Sequence, residues 1–576
     1  MSSSNSTVAL RNARIIDGSG GPAAKGDVLV EGDKIVAVGT VTARADREID
    51  VAGAAVAPGF IDVHTHYDAQ GFWDPFLSPS PLHGTTTVLG GNCGFTLAPL
   101  SGRPEDTAYL VRMLSRVEGM PLESLIEGVR PDWSSFGEYL DRLEGRLAVN
   151  AGFLVGHSAL RVAIMGHERA LTEEASEGEV RSMQALLSRS LAEGGLGLST
   201  SLSGAHSDLE GRPVPSRRTS HEELIALCRT VGEHEGTWLE ATQGLIEFSE
   251  PDYRCLTDMA LAAGRSLNWN IVFISSERPE GFASQLGVSD YARARGATVF
   301  GLVQAGPSTL RINFRTAQMI DNIPEWHEVL ARPHSEKLRA LADPEVRRRL
   351  EDCTASGAGG GFMFRDWGRI TIAETFLPHN KRWEGQPVRA LSQARGVAPL
   401  AALLDLAIEE DLKTSFSPPG AGADEAAWRM RAQALADTER CMIGGSDAGA
   451  HLDMLDAFTL PTRLLGEDVR TRGLLKLEEA VRRITSEPAE RFGLKGRGRL
   501  APGMQADIVV FDPETVGAGP VTTRFDLPQG GMRLYAEATG ISTVMVNGVP
   551  IVEDGAPTGQ RGGSILRSGR DTRTVN

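Results

Sequence analysis

Ala57-Pro58-Gly59-Phe60-Ile61-Asp62-Val63-His64-Thr65-His66-Tyr67-Asp68 is an apolar run that closes on two histidines spaced i and i+2. In an extended strand that spacing puts both imidazoles on one face, where they can converge on one ion. Two such histidines can also merely end a half-buried strand. Here the run is too apolar to face water and Asp62 flanks the pair, so a metal site is the stronger reading. The rest of the chain has to supply the remaining ligands.

On the N-terminal side, Thr7-Val8-Ala9-Leu10, Ala13 to Gly18, Gly26 to Gly32 and Lys34 to Gly39 alternate apolar and polar residues between Gly-Asp and Asp-Gly turns. That pattern predicts a small antiparallel sheet too short to bury a core alone. A matching pattern returns at Gly503 to Asp512 and Ser542 to Gly548. One β-sandwich built from both ends, residues 1–56 and 495–560, with the middle inserted, is the simplest arrangement.

The middle alternates strand and helix. After the histidine strand come Thr86 to Gly90, Ala148 to Val155, Gly197 to Thr200, Thr237 to Ala241, Asn270 to Ile274, Thr298 to Val303 and Met442 to Ser446. Between them, Val180, Met183, Leu186, Leu187 and Leu191 form a helical stripe ended by Gly194-Gly195, and Ser220 with Glu223 forms a capping box. The class is therefore α/β: a (β/α)₈ TIM-type barrel over 57–494, with its chemistry at the strand C-termini, plus the small β-sandwich domain. The interval 305–440 exceeds one unit and holds a charged helix at Pro344 to Leu350 and a glycine cluster at 357–361, which reads as a lid or insertion. Residues 561–576 form a tail.

Composition narrows the function. The 576 residues carry a net charge of −16, which repels nucleic acid and anionic membranes and leaves a small molecule as the default ligand. Five irregularly spaced cysteines, Cys93, Cys228, Cys255, Cys353 and Cys441, fit a reducing compartment. No apolar run reaches the ~18 residues of a membrane span, and Met1 to Asn5 lacks the character of a signal peptide. The expected location is cytoplasmic, and a homo-oligomer is left open.

Further ligand candidates follow the strand ends. Cys93, in Gly90-Gly91-Asn92-Cys93-Gly94, is either a thiolate ligand or a small buried residue. Asp447 ends an apolar strand, where a carboxylate is costly unless paired, which points to a ligand or general base over an accidental helix cap. His157, at the end of the third strand, either orients a substrate carbonyl or is a satisfied core histidine.

These motifs together resemble the amidohydrolase superfamily, and within it the N-acyl-D-amino-acid deacylase (D-aminoacylase) group. The resemblance rests on Pro58 to His66, Asn92-Cys93-Gly94, Gly156-His157-Ser158-Ala159-Leu160-Arg161, Gly445-Ser446-Asp447, Ile484 to Leu494 and Gly503 to Asp507, in family order and over nearly the whole chain. It implies a (β/α)₈ metal hydrolase with a flanking sandwich. It also implies zinc ligands at His64, His66, Cys93 and Asp447. The family's histidines on strands five and six are replaced by Trp238-Leu239-Glu240-Ala241-Thr242 and Ile274-Ser275-Ser276-Glu277-Arg278, and no lysine between Lys34 and Lys337 can bridge two metals.

One divalent ion is therefore expected, with a second left open, and His, Cys and Asp together favour zinc by softness. Glu240 is a further candidate ligand, although strand alternation would turn it from the centre unless a bulge restores it; His206 and His221 are more distant substitutes. Arg278, with His157 and Arg161, is assigned to substrate binding.

The expected reaction is hydrolysis of a non-peptide C–N amide bond in an N-acyl-D-amino acid or related N-acyl compound, with Asp447 as base. One alternative is a cyclic amide, imide or ureide as substrate. Another is a non-catalytic scaffold, which four convergent ligands argue against.

Overall fold

A computed structural model of the chain describes residues 6–244, 246–307, 309–316, 319–356, 364–419 and 423–575, so the glycine cluster at 357–361 lies outside the described residues. Both chain ends meet in one nine-stranded hydrogen-bonded sheet. Thr7–Ile15 pairs antiparallel with Ala24–Glu31 and, on its other edge, parallel with Ala55–Pro58. Ala55–Pro58 then pairs antiparallel with Ile508–Phe511, which continues to Ile541–Val546. Thr7–Ile15 is a single strand where alternation predicts two, because a bulge between Leu10 and Ala13 absorbs the break, with Asn12 at φ 59°. Val8, Leu10, Val28 and Val30 from the N-terminal strands share one apolar cluster with Ile508, Val510 and Met545 from the C-terminal ones. Neither end buries such a face alone.

Eight parallel segments follow in chain order. They are Phe60–Asp62, Thr85–Gly90, Asn150–Phe153 with its continuation Val155–Gly156, Gly197–Ser201, Trp238–Thr242, Leu267–Asn270, Val299–Val303 and Cys441–Ile443. Each pairs in parallel with the next. The path of pairings returns on itself. Thr65 bridges Ala448 in parallel, His66 N donates to Ala448 O at 2.8 Å, and Asp447 N donates to His64 O at 3.1 Å. Helices connect the segments, among them Glu177–Ala192, His221–Gly232, Glu250–Ala263 and Pro279–Arg293. Ile61, Val63, Leu89, Trp238, Phe300, Leu302 and Met442 form one buried apolar cluster with Phe492, Leu494 and Leu566.

The sixth segment differs from expectation. It is Leu267–Asn270, three residues earlier than the apolar run suggests, because Leu267 and Trp269 are the residues that bury completely. Asn270 thereby becomes its last residue. The interval expected as an insertion has its own core, in which Ile312, Phe314, Trp326, Leu341, Leu403 and Phe416 pack together. The tail is packed as well: Ile565 and Leu566 are 1% exposed, Leu566 N donates to Ala151 O at 2.7 Å, and Leu494 bridges Thr572.

Candidate metal centre and active site

The two histidines follow the first parallel strand. His64 and Asp447 are drawn together by the backbone bond above and by Ser446 Oγ, which donates to His64 O at 3.3 Å. Asn92 does the same for the cysteine loop: its Nδ2 donates to Thr65 O at 3.0 Å and Leu89 O at 2.9 Å, tying that loop to the histidine strand. Gly91 has to be glycine here, since at φ 74° an added Cβ would lie 2.3 Å from Leu154 O. Cys93 and Asp447 themselves adopt left-handed backbone, φ 56° and 63°. Such conformations cost free energy and tend to collect at functional sites.

The donor atoms converge. One nitrogen of each histidine and Cys93 Sγ all lie within 4.8 Å of one another, and all three residues are buried. His64 Nε2 is 3.5 Å and His66 Nε2 3.9 Å from Cys93 Sγ. Tetrahedral zinc, with bonds of about 2.0–2.1 Å to nitrogen and about 2.3 Å to sulfur, implies N–S separations near 3.6 Å. The donor set fits a divalent ion. Burial, with Glu240 behind it, pushes the Cys93 thiol well up, so a thiolate here needs a cation beside it.

Asp447 stands next to this group. Its Oδ1 lies 3.1 Å from His66 Nε2 and 3.4 Å from His64 Nε2, and its Oδ2 lies 3.6 Å from His451 Nε2. Burial opposes its ionisation, but the bonds from His64 and His66 outweigh that and hold the carboxyl well below its usual range. It lines a cavity of about 320 Å³ together with His66, Cys93, Arg116, Glu118, His206, Thr242, Asn270 and His451.

Glu240 points toward the centre without any bulge. The pairings of Trp238–Thr242 with both neighbours run in unbroken register, and Glu240 and Thr242 share the face that meets the cysteine loop. Glu240 Oε2 accepts from Cys93 N at 2.8 Å, and Thr242 Oγ1 lies 3.1 Å from Cys93 Sγ. Its Oε1 is 3.9 Å from His64 Nδ1, the nitrogen facing away from Cys93 and Asp447. Glu240 is thus behind the donors, not among them. Burial raises its carboxyl to about 8.

The residues assigned to substrate binding are elsewhere. His157 is fully buried, its Nδ1 bonded to Thr200 Oγ1 at 2.9 Å and its Nε2 to Glu223 Oε1 at 2.8 Å. Arg161, also at 0% exposure, pairs with Glu223 and donates to Glu173 O at 2.7 Å. Both serve the packing of helices, not the cavity. Arg278 is exposed at the start of Pro279–Arg293, eight residues past the strand end at Asn270, and does not line the cavity. His206 does line it; His221 is exposed and pairs with Asp258.

The predicted capping box is only half formed for the same reason. Ser220 Oγ accepts from Glu223 N at 3.1 Å, but the Glu223 carboxylate turns inward to His157 and Arg161. Replacing Glu223 with Ala leaves a buried guanidinium unpaired and should cost about 3–5 kcal/mol of stability, measurable by denaturant unfolding. Burial raises the Glu223 carboxyl, but His157 and Arg161 outweigh burial and hold it below the ordinary 4.5. Its folded-state value being depressed, its contribution is complete above that ordinary value and fades as pH falls through the folded one. The variant should therefore show a flatter acid limb of stability against pH.

Glu118 is the residue that sequence reading missed. It caps the helix Pro104–Val117, is 3% exposed, and places Oε1 3.2 Å from His66 Nδ1. His451 was missed too.

The profile of the Amidohydrolase family matches residues 47–552. The chain belongs to the amidohydrolase family. It is 30% identical to the D-aminoacylase of Alcaligenes xylosoxydans xylosoxydans, over 97% of this chain and 96% of that one. It is also 30% identical to the N-acyl-D-glutamate deacylase of the same organism, over 96% and 95% of the two chains. A solved D-aminoacylase structure superimposes with a TM-score of 0.65 at 28% identity, covering 97% of this chain and 99% of that one. That protein has a binuclear metal centre, in which one metal activates and the second attenuates. Membership makes this chain a hydrolase acting on carbon–nitrogen bonds other than peptide bonds.

Proposed function

We propose that this amidohydrolase deacylates N-acyl-D-amino acids or closely related N-acyl compounds, using one divalent ion, zinc by the softness of its donors. The observation that carries the reading is the convergence of His64, His66 and Cys93 within 4.8 Å, with Asp447 against both imidazoles. An ion held by those three donors supplies Lewis-acid polarisation of the scissile carbonyl and a lower pKa for the attacking water. Asp447, facing the cavity, takes the water proton and returns it to the departing amine. Glu118 holds His66 and Glu240 holds the Cys93 loop, so the donors need little reorganisation. His451 beside Asp447 Oδ2 is a second group able to relay the proton.

Neither Trp238-Leu239-Glu240-Ala241-Thr242 nor Ile274-Ser275-Ser276-Glu277-Arg278 holds the histidine that the family resemblance places there, which supports a single ion. We read the returning path of parallel strands as a (β/α)₈ barrel over 57–494, the joined chain ends as a curled β-sandwich, and 305–440 as an insertion over the strand ends. We place the protein in a reducing, cytoplasmic compartment on the odd number and irregular spacing of its five cysteines.

Metal content measured beside turnover of paired N-acetyl-D- and N-acetyl-L-amino acids tests the function. About one zinc per chain, D-selective amide hydrolysis and loss of turnover on chelation are expected. Metal-free protein indifferent to chelators would instead return the scaffold reading.

A further inference from the structure

Beside the catalytic cavity lies a larger cleft of about 660 Å³, and Arg116 lines both. Small-molecule sites typically occupy about 300–1,000 Å³, so the catalytic cavity alone is at the small end of that range. The cleft more than doubles the room.

Its charge runs against that of the protein. In a chain of net charge −16, the cleft gathers Arg116, Arg315, Arg332 and Lys337 against two carboxylates, Glu123 and Asp321. Lys337 is the most informative of these. It is 6% exposed, and its Nζ donates to Arg315 O at 2.9 Å and Phe314 O at 3.5 Å. Among the described residues no carboxylate lies within ion-pairing distance of it, and Asp321, the acid that acts on it from further away, is engaged by Arg116. Among the described residues the acid that pairs with Arg315 is shared: Asp411 also pairs with His334 at 2.7 Å and Lys413 at 3.4 Å. A nearly buried ammonium held by carbonyls alone is costly unless an anion joins it. Met120, Leu122 and Phe525 line the same cleft and offer apolar surface suited to methylene groups.

We propose that the cleft receives a second carboxylate of the substrate, remote from the scissile amide, so that the preferred substrates are dianionic N-acyl amino acids anchored by Lys337 and Arg315. This rests on the deacylase reading of the adjoining cavity. The second carboxylate can come from the amino-acid side chain or from the far end of the acyl group.

Two substrate pairs separate these sources: N-acetyl-D-glutamate against N-acetyl-D-norvaline, and N-glutaryl-D-leucine against N-pentanoyl-D-leucine. At least one dianionic member should exceed its neutral counterpart in kcat/KM by about tenfold or more, a ratio expected of a charge-assisted hydrogen bond. Arg315→Ala and Lys337→Gln should each bring that ratio down toward one. Calorimetric titration of the metal-loaded enzyme with glutarate provides a readout independent of turnover: binding should be present in the native chain and weakened in both variants. Ratios near one in both pairs, or glutarate binding that is absent or unchanged in the variants, overturn the proposal. If no N-acyl compound is hydrolysed while glutarate still binds through these residues, the deacylase reading fails and the anion site stands.

Discussion

Asp447→Asn should lower kcat by about three orders of magnitude while zinc content stays at the native level, the loss expected when a general acid–base is removed. The asparagine keeps the shape and one oxygen near His64 Nε2 and His66 Nε2, where Asp447 Oδ1 now lies 3.4 and 3.1 Å away. It cannot hold a proton between the attack of water and the departure of the amine. Metal is retained because His64, His66 and Cys93 keep their donor atoms within 4.8 Å of one another and the asparagine leaves an oxygen beside them. Steady-state kinetics with an N-acetyl-D-amino acid, run beside metal analysis of the same sample, check this. Turnover within a few-fold of native would remove Asp447 as the base and shift attention to His451, the other ionisable group beside it. Loss of metal together with activity would make Asp447 a ligand first.

The parts of this site that were legible in the sequence are those fixed by local pattern. His64-Thr65-His66 closes a strand, Cys93 sits between glycines that set a tight turn, and Asp447 ends an apolar run; each carries its signal within a few residues. Glu240 was misjudged because alternation was counted against an assumed alignment, whereas the unbroken register with both neighbouring strands places it inward as it stands. His157 and Arg161 were assigned to substrate because a polar cluster at a strand end reads alike whether it meets a ligand or a buried glutamate 62 residues or more along the chain. Only the long-range contact to Glu223 distinguishes the two cases. The sheet shared by the chain ends was foreseeable for a similar reason in reverse: two half-sheets, each with an unpaired apolar face, have one economical way to bury it. The sixth strand was displaced because its apolar run continues past Asn270, so hydropathy alone could not mark its end.

Glu118 carried a faint signal of another kind. A carboxylate at the C-terminus of Pro104–Val117 opposes the helix dipole, a local inconsistency that calls for a compensating partner. The partner is His66 Nδ1 at 3.2 Å, so the carboxylate fixes the proton on that nitrogen and leaves Nε2 free to donate its lone pair toward Cys93 and the cavity. Burial pushes the Glu118 carboxyl up, and His66 beside it pulls the other way and favours the charged form. Glu118→Ala should weaken zinc binding by about 10- to 100-fold, the usual penalty for losing such an outer partner, as read by chelator competition at fixed pH. Glu118→Gln keeps an oxygen that can accept from Nδ1–H, and it should recover most of the affinity. If both variants bind zinc as tightly as the native chain, His66 is held by the surrounding packing and not by this carboxylate. Affinity lost equally in both, with thermal stability lost in parallel, would instead make Glu118 a structural support of the helix end. Recovery in the glutamine variant alone separates positioning from packing.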